Sequence, residues 1–543
     1  MENKFIKAVE NATFTENGAL SNKSTLSAIV DQFGKAGSFR GRSFSDVFED
    51  QSELWDENRD YAVKFPFYLR AITRKTTVSG RSEAFAQVGQ GARDESFKRI
   101  LWLADKQKDV FERNIWLLPF VGSWKDLWQL MHYDKVSDLN CIDHKLIFGL
   151  LCDGLRTKSC TDLVKKFMPR IKSNKKCTTD WTKNMNEFAK EFANFMKMSY
   201  KEYNHLKTSG TAHEFQKLIC ARRFNDINWN QIPGKALALL TSGYFIEKHD
   251  LTETYMQWLE KSGSIKFTGY PYDLVKVLRN AQLKGSELPK HVEMTVNKQF
   301  DELIRKAKES NGGITGNVWC ALDTSGSMTC TVSGQDLRAI DVCKSLGIFF
   351  STLNTGAFHK HVIMFDRTSK ALELSGDFTD MYRSIPNDAM GDTNFQSIVD
   401  EIVRIRKNHP SVPIEDYPQT LLVVSDMQFN PANSWWHRDF NEDEVRTNMQ
   451  ECKRKLYEVF PQEFVDGFKF IWWDCVSRCS DYPATIDDTG NYFFSGFDGS
   501  VIAQLLGGKE KGRNQSITML ELIDKVLNQD IFKLIVVDGQ KDI

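Results

Sequence analysis

Apolar positions follow two different rhythms along this chain. From about residue 61 to 310 they recur at three- and four-residue spacing, the mark of amphipathic helices. The pattern predicts helices over roughly 57–73, 94–105, 109–118, 123–132, 144–156, 160–169, 181–197, 212–222, 234–243, 250–262, 271–281 and 294–309. Many are joined by short turns carrying Gly, Pro or Asn. From about 314 short β-branched runs alternate with helical stretches. Strands are predicted near 318–322, 361–366, 420–425, 468–473 and 491–494, with helices near 336–352, 394–407, 441–459 and 499–506. Before these two regimes, residues 1–60 are polar with scattered apolar anchors. After them, the Gly-rich 507–512 leads to a final helix over about 517–528 and an apolar run, 532–537.

Successive helices of this size, with no strand pattern between them, predict an α-solenoid or ring of helix pairs, HEAT-like and without a clean internal repeat. Alternating strand and helix predicts a doubly wound α/β sheet. The expected organisation is therefore multidomain, α + α/β. An N-terminal segment, 1–60, packs on the body; a helical domain spans 61–310; a doubly wound domain spans 314–508; and 509–543 return to the body. Ser310-Asn311-Gly312-Gly313 marks the main boundary.

Composition narrows the class. In 543 residues, 41% hydrophobic and 26% charged is ordinary for a globular protein, and the length accommodates several cores. No apolar run approaches the ~20 residues of a membrane span, and the first residues lack the apolar stretch of a secretory signal. Eleven Cys, an odd number, are scattered without repeating spacing; neither Cys475/Cys479 nor Cys141/His144 completes a zinc set. Reduced thiols and a cytoplasmic location are expected.

The formal net charge of -1 hides a segregation: residues 61–300 hold 39 Lys+Arg against 25 Asp+Glu, and residues 301–543 hold 25 against 36. A basic middle beside an acidic end points to an anionic partner for the middle, or to attraction between domains.

Candidate chemistry begins where the strand Val318–Leu322 runs into Asp323-Thr-Ser325-Gly-Ser327. One carboxylate and two hydroxyls on a tight turn are hard oxygen ligands of the kind Mg²⁺ takes while keeping several waters. Thr393, in Gly391-Asp-Thr-Asn394, precedes a helical pattern, and Asp426 follows the β-branched run Leu421–Val424. In an open parallel sheet, loops at the carboxyl ends of neighbouring strands converge on one crevice. The set Asp323, Ser325, Ser327, Thr393 and Asp426 resembles the metal-ion-dependent adhesion site of von Willebrand factor A domains. That resemblance implies bound Mg²⁺, or another divalent cation such as Mn²⁺ or Ca²⁺, with one position left open for a carboxylate from a protein partner. Asp392 and Asn394 flank the ligands and could support them.

Helices followed by an A domain resemble the Ro autoantigen family, named for its TROVE module, and more closely a group of uncharacterised Ro-like proteins of plants, bacteria and phages. The resemblance rests on Asn17-Gly18-Ala19, Pro119-Phe-Val-Gly-Ser-Trp-Lys-Asp126-Leu127, Ile227-Asn-Trp-Asn-Gln-Ile-Pro-Gly234-Lys-Ala236, Tyr270-Pro-Tyr-Asp-Leu274 and Val424-Ser-Asp-Met-Gln-Phe429. The last is distinctive, since most A domains carry Gly after that Asp. The resemblance implies a ring of HEAT-like helices that binds single-stranded RNA ends or structured small RNAs. Cation clusters suited to that role are Arg70, Arg74, Lys75 and Arg81; Lys165, Lys166, Arg170, Lys172, Lys175 and Lys176; and Arg222 and Arg223. Aromatics for stacking bases lie near them in sequence, Trp124, Trp181 and Trp229 among them.

The expected function is thus a non-enzymatic, Ro-like RNA-binding scaffold whose A domain docks a partner through Mg²⁺. A protein–protein assembly module without RNA is the alternative. A metal-dependent hydrolase is the third reading, and it lacks a general base, a triad or a P-loop.

Overall fold

A computed structural model of the chain describes residues 4–39, 41–209, 214–242, 245–267, 269–282, 288–332, 337–386, 391–432, 446–476, 481–496, 500–506 and 517–537. Cys479, one of the close pair, lies outside them, as do the Gly-rich stretch 507–512 and residues 441–445 of a predicted helix. The chain divides into two compact units. One joins residues 1–39 to 228–523; the other joins 40–227 to 524–543.

In the first unit a short helix, Lys4–Glu10, leads into a small antiparallel hairpin, β1 (Ala12–Phe14) and β2 (Leu20–Asn22). The second unit carries another, β3 (Ile72–Thr77) and β4 (Ala84–Gln90), inside the region predicted to be purely helical. The β-branched Ile72-Thr-Arg-Lys-Thr-Thr77 favours a strand over a helix, and Gly80 at φ 80° allows the turn between the two.

The first unit is built on a six-stranded sheet. Its strands are β5 (Val318–Asp323), β6 (His361–Phe365), β7 (Ser369–Glu373), β8 (Thr420–Ser425), β9 (Lys469–Asp474) and β10 (Asn491–Ser495), arranged β10-β9-β8-β5-β6-β7. All neighbours are parallel except β6 and β7, which form an antiparallel edge. Counted within the sheet this is the doubly wound order 3-2-1-4-5-6, whose direction reverses between β5 and β8. Strand β8, Thr-Leu-Leu-Val-Val-Ser, is buried at every position, as a parallel strand covered on both faces must be. Helix Ala339–Leu353 is buried along its whole length and supplies much of one cover.

Helices Gly234–Ser242, Thr252–Lys261, Pro271–Gln282 and Lys290–Asn311 also belong to this unit. Grouped by sequence with the helical domain, they are joined here to the sheet. Arg383 pairs with Glu293 at 2.8 Å, the Thr379 amide donates to Asn297 at 3.1 Å, and Arg279 stands 3.7 Å from the fully buried Asp341. Helix Lys290–Asn311 stops at Gly312, whose φ of 78° is left-handed and whose amide caps the carbonyl of Lys308.

The second unit is helical apart from its hairpin, with helices Phe44–Glu57, Arg59–Arg70, Arg93–Lys106, Lys125–Val136, His144–Arg156, Thr161–Phe167, Asp180–Phe195 and Tyr200–Thr208 among its elements. The last of these has a capping box, Ser199 with Glu202, that sequence reading passed over. Residues 524–537 complete the unit. Asn114 exchanges two hydrogen bonds with the backbone of Val536, and the Val88 amide donates to Gln529. The run after Ile531 forms a single 3₁₀ turn, Phe532–Leu534.

Candidate metal centre and basic cleft

The reversal of strand order opens a crevice outside the carboxyl ends of β5 and β8, and the five predicted ligands stand on loops at this edge. Asp323 closes β5 and is fully buried. Its Oδ1 accepts the Ser325 amide at 2.9 Å, and its Oδ2 accepts the Ser425 hydroxyl at 2.5 Å. Ser425 is thus a positioning residue that motif reading left out, although it stands beside Asp426. The Ser325 and Ser327 hydroxyls lie 3.1 Å apart, Ser325 buried and Ser327 exposed. Thr393 is buried and reaches the edge through its own loop: the Gly326 amide donates to Gly391 O, and the Asn430 amide to Thr393 O. Asp426 is 5% exposed, with Oδ1 accepting the Gln428 amide at 3.2 Å.

Two carboxylates buried at one edge, neither paired with Lys or Arg among the described residues, are electrostatically incomplete. Burial first, and then the charge of Asp426, push the Asp323 carboxyl up to about 7. Burial raises Asp426 as well, against hydrogen bonds from Ser327 and the Gln428 amide. A cation is the species such a pair lacks, and a set of two carboxylates and three hydroxyls suits a hard divalent ion. Among the described residues no group of three or more His, Cys, Asp or Glu converges, so the hydroxyls are essential to any such site. The flanking Asp392 is exposed, within 3.8 Å of Arg367, whereas the Asn394 amide donates to Asp366 O and helps fix the Thr393 loop.

The hairpin tip between β1 and β2 also belongs to this edge, which sequence reading did not anticipate. The Thr15 hydroxyl donates to Phe429 O at 2.8 Å and the Glu16 amide to Gln428 Oε1 at 2.6 Å. Asn17 Nδ2 donates to Gln428 O at 2.6 Å and lies 3.5 Å from the Thr393 hydroxyl.

All twelve predicted RNA-contacting cations fall in the helical unit, where they do not form one set. Arg70 is buried and tied to the buried Asp126 through Nε at 2.7 Å and Nη2 at 2.6 Å. Arg74 directs its guanidinium to the carbonyls of Phe120 and Gly122, and burial lowers its pKa. Arg70 is thus committed to a buried partner that sequence reading could not locate, whereas Arg74, exposed on β3, is held by backbone carbonyls. Lys75 and Arg81 are exposed. Arg222, also exposed, has φ 56°, and Arg223 pairs with Asp226 at 2.6 Å.

The second cluster is different. Arg170, Lys172, Lys175 and Lys176 are exposed on the segment between helices Thr161–Phe167 and Asp180–Phe195, with Lys165 and Lys166 half-buried at the end of the first. Beside them lies a cleft of about 220 Å³ lined by Lys125, Trp128, Phe167, Arg170, Lys172 and Trp181. Lys125 Nζ sits 5.9 Å from the centre of the Trp181 ring. Burial, and then the charge of Arg170, depress the pKa of Lys207, which donates to Lys166 O. Positive potential is therefore concentrated next to an aromatic wall. Trp181 was among the stacking candidates by sequence, whereas Lys125 and Lys207, on two other helices, were not.

Residues 318–530 match a family described as a domain of unknown function (DUF7788). No curated protein matches the chain. Among solved structures, the chain is similar to the Ro (RSR) protein of Deinococcus radiodurans at 12% identity, over 89% of this chain and 98% of that one, with a TM-score of 0.32. No helix among the described residues is long and apolar enough to cross a membrane.

Proposed function

We propose that this protein is a non-enzymatic, Ro-like adaptor with two separate binding sites. Its sheet unit holds Mg²⁺, or another divalent cation, through Asp323, Ser325, Ser327, Thr393 and Asp426, in the manner of a von Willebrand factor A domain. The cation supplies a Lewis-acidic position that a partner protein's carboxylate can fill. Its helical unit binds single-stranded RNA along Lys165, Lys166, Arg170, Lys172, Lys175 and Lys176.

The observation that carries the metal half is the uncompensated pair Asp323 and Asp426 at the switch point of the sheet. The RNA half is supported by the cleft that brings Arg170 and Lys172 beside Trp181, since phosphate contacts and base stacking are what sequence-tolerant strand binding requires. The Ro resemblance of the sequence points the same way.

Fluorescence anisotropy with a labelled oligouridine, using protein freed of nucleic acid, tests the RNA half. Binding should weaken with salt, and K172E/K175E/K176E should flatten the log–log salt slope by about 2, at ~0.7 per lost phosphate contact on a single strand. No affinity at low salt leaves the assembly module as the better reading. Mg²⁺-dependent RNA cleavage that is lost in D323A would make the protein a hydrolase instead.

A further inference from the structure

The hairpin tip Thr15–Ala19 is held against the candidate metal edge more firmly than an ordinary turn requires. Thr15, buried, donates its hydroxyl to Phe429 O and accepts the Ala19 amide, so one side chain closes the turn and anchors it. Gly18, at φ 87°, permits the tight return. Two further bonds, from the Glu16 amide and the Asn17 side chain, grip Gln428 two residues beyond Asp426. Asn17 also lies beside the Thr393 hydroxyl. Behind the tip, β2 continues into Tyr482: the Asn22 amide donates to Tyr482 O at 2.9 Å, and the Tyr482 amide returns a bond to Asn22 O at 2.7 Å. The tip is therefore fixed at both its end and its base by residues more than 400 positions away in sequence.

Between its two neighbours stands Glu16, exposed and, among the described residues, without an ion pair; its amide is bonded to Gln428, and its negative charge acts on Asp426. A carboxylate beside the buried Asp426 is repelled by it unless a cation lies between. From this we infer that Glu16 is an in-chain carboxylate for the same cation. It would occupy the outward coordination position until a partner's carboxylate displaces it, and Asn17 would position Thr393 beneath it. The inference rests on the cation site proposed above, and it makes docking a competition between the protein's own N-terminal hairpin and its partner.

The full-length chain, stripped of metal and titrated with Mn²⁺, tests this by the free-ion electron paramagnetic resonance signal and by water-proton relaxation of the bound ion. Wild type should bind Mn²⁺ and D323A should not. E16Q, an exposed and nearly isosteric change, should bind Mn²⁺ at least about tenfold more weakly, the scale on which lost ligand support weakens a site. Its bound ion should relax water faster, because a water replaces the carboxylate, and added acetate should reverse that gain in E16Q but leave wild type unchanged. E16Q that matches wild type in affinity and relaxation, with D323A inactive, overturns the role of Glu16 alone. Failure of wild type to bind Mn²⁺ overturns the cation site and the role of Glu16 together.

Discussion

Replacing Asp323 with Asn should make the metal-free protein more stable while removing its response to metal. Asp323 is fully buried, and its carboxyl is pushed from 3.8 to about 7 by burial and by Asp426. At ~1.4 kcal/mol per pKa unit, holding that carboxylate ionised at neutral pH costs roughly 4 kcal/mol in the absence of a cation. Asn keeps a carbonyl oxygen for the Ser325 amide, and the Ser425 hydroxyl, now facing an NH₂ group, can rotate to accept. The replacement therefore removes a charge without orphaning its neighbours.

The sign of the pH dependence follows. A carboxyl raised in the folded state binds its proton more tightly there than in the unfolded chain, so stability is lost as pH climbs from about 4 to about 7. In EDTA, wild type should lose stability over that window and D323N should not. The two should melt alike near pH 4 and diverge by several degrees at pH 7.5, given roughly 2 °C or less per kcal/mol in a unit of this size. Differential scanning fluorimetry at stepped pH, with EDTA or with Mg²⁺, measures both effects. Mg²⁺ should raise the melting temperature of wild type and leave D323N unmoved. If D323N melts below wild type in EDTA at pH 7.5, or gains as much from Mg²⁺, the account of an uncompensated buried pair is wrong.

Two other expectations concern the frame that holds the site. Lys344 is buried, donates to Ile385 O at 2.6 Å and lies 3.9 Å over the Tyr382 ring; burial lowers its pKa from 10.5 to about 7. The unfolded chain holds that proton more tightly, so wild type should gain stability, by up to a few kcal/mol, between about pH 7 and 10.5, and urea titrations of K344M should show that gain flattened. Gly347 packs on β5, where an added Cβ would meet the Leu322 side chain at 2.3 Å, so G347A should lower stability by about 1–3 kcal/mol and, by shifting the strand that ends in Asp323, weaken Mn²⁺ binding as well.

How far the fold was legible depended on how local its causes were. Strands β5, β6, β8, β9 and β10 were readable because a parallel strand covered on both faces has to be an uninterrupted apolar run. Edge strand β7, Ser-Lys-Ala-Leu-Glu, is half-exposed, carries two charges, and had no such signature. Four of the five candidate ligands are buried at the edge their loops predicted, because strand order alone brings loop ends together. The hairpin tip was invisible for the opposite reason. Thr15, Glu16 and Asn17 read as an ordinary turn, and their partners stand some 400 residues away. Arg70 and Asp126 show the same limit with charge. Separated by 56 residues and each polar on its own, they count as surface until the fold buries them against one another.

Met427 stands between Asp426 and Gln428 at the edge of the sheet. It occupies the place after Asp426 where A domains usually carry Gly, and its φ of 63° is the left-handed conformation that Gly adopts freely and Met does not. For an unbranched side chain that conformation costs about 1–2 kcal/mol. Packing compensates: Met427 is buried, and its amide donates to the Ser425 hydroxyl, which donates in turn to Asp323. The strained residue is thereby linked through one hydroxyl to the first carboxylate, while its neighbour Gln428 carries the hairpin tip. Gly would reach the same backbone conformation without strain, but it would leave the apolar space beside the site unfilled. The strain is thus held in place by buried contacts directly beside Asp426, one hydroxyl away from Asp323.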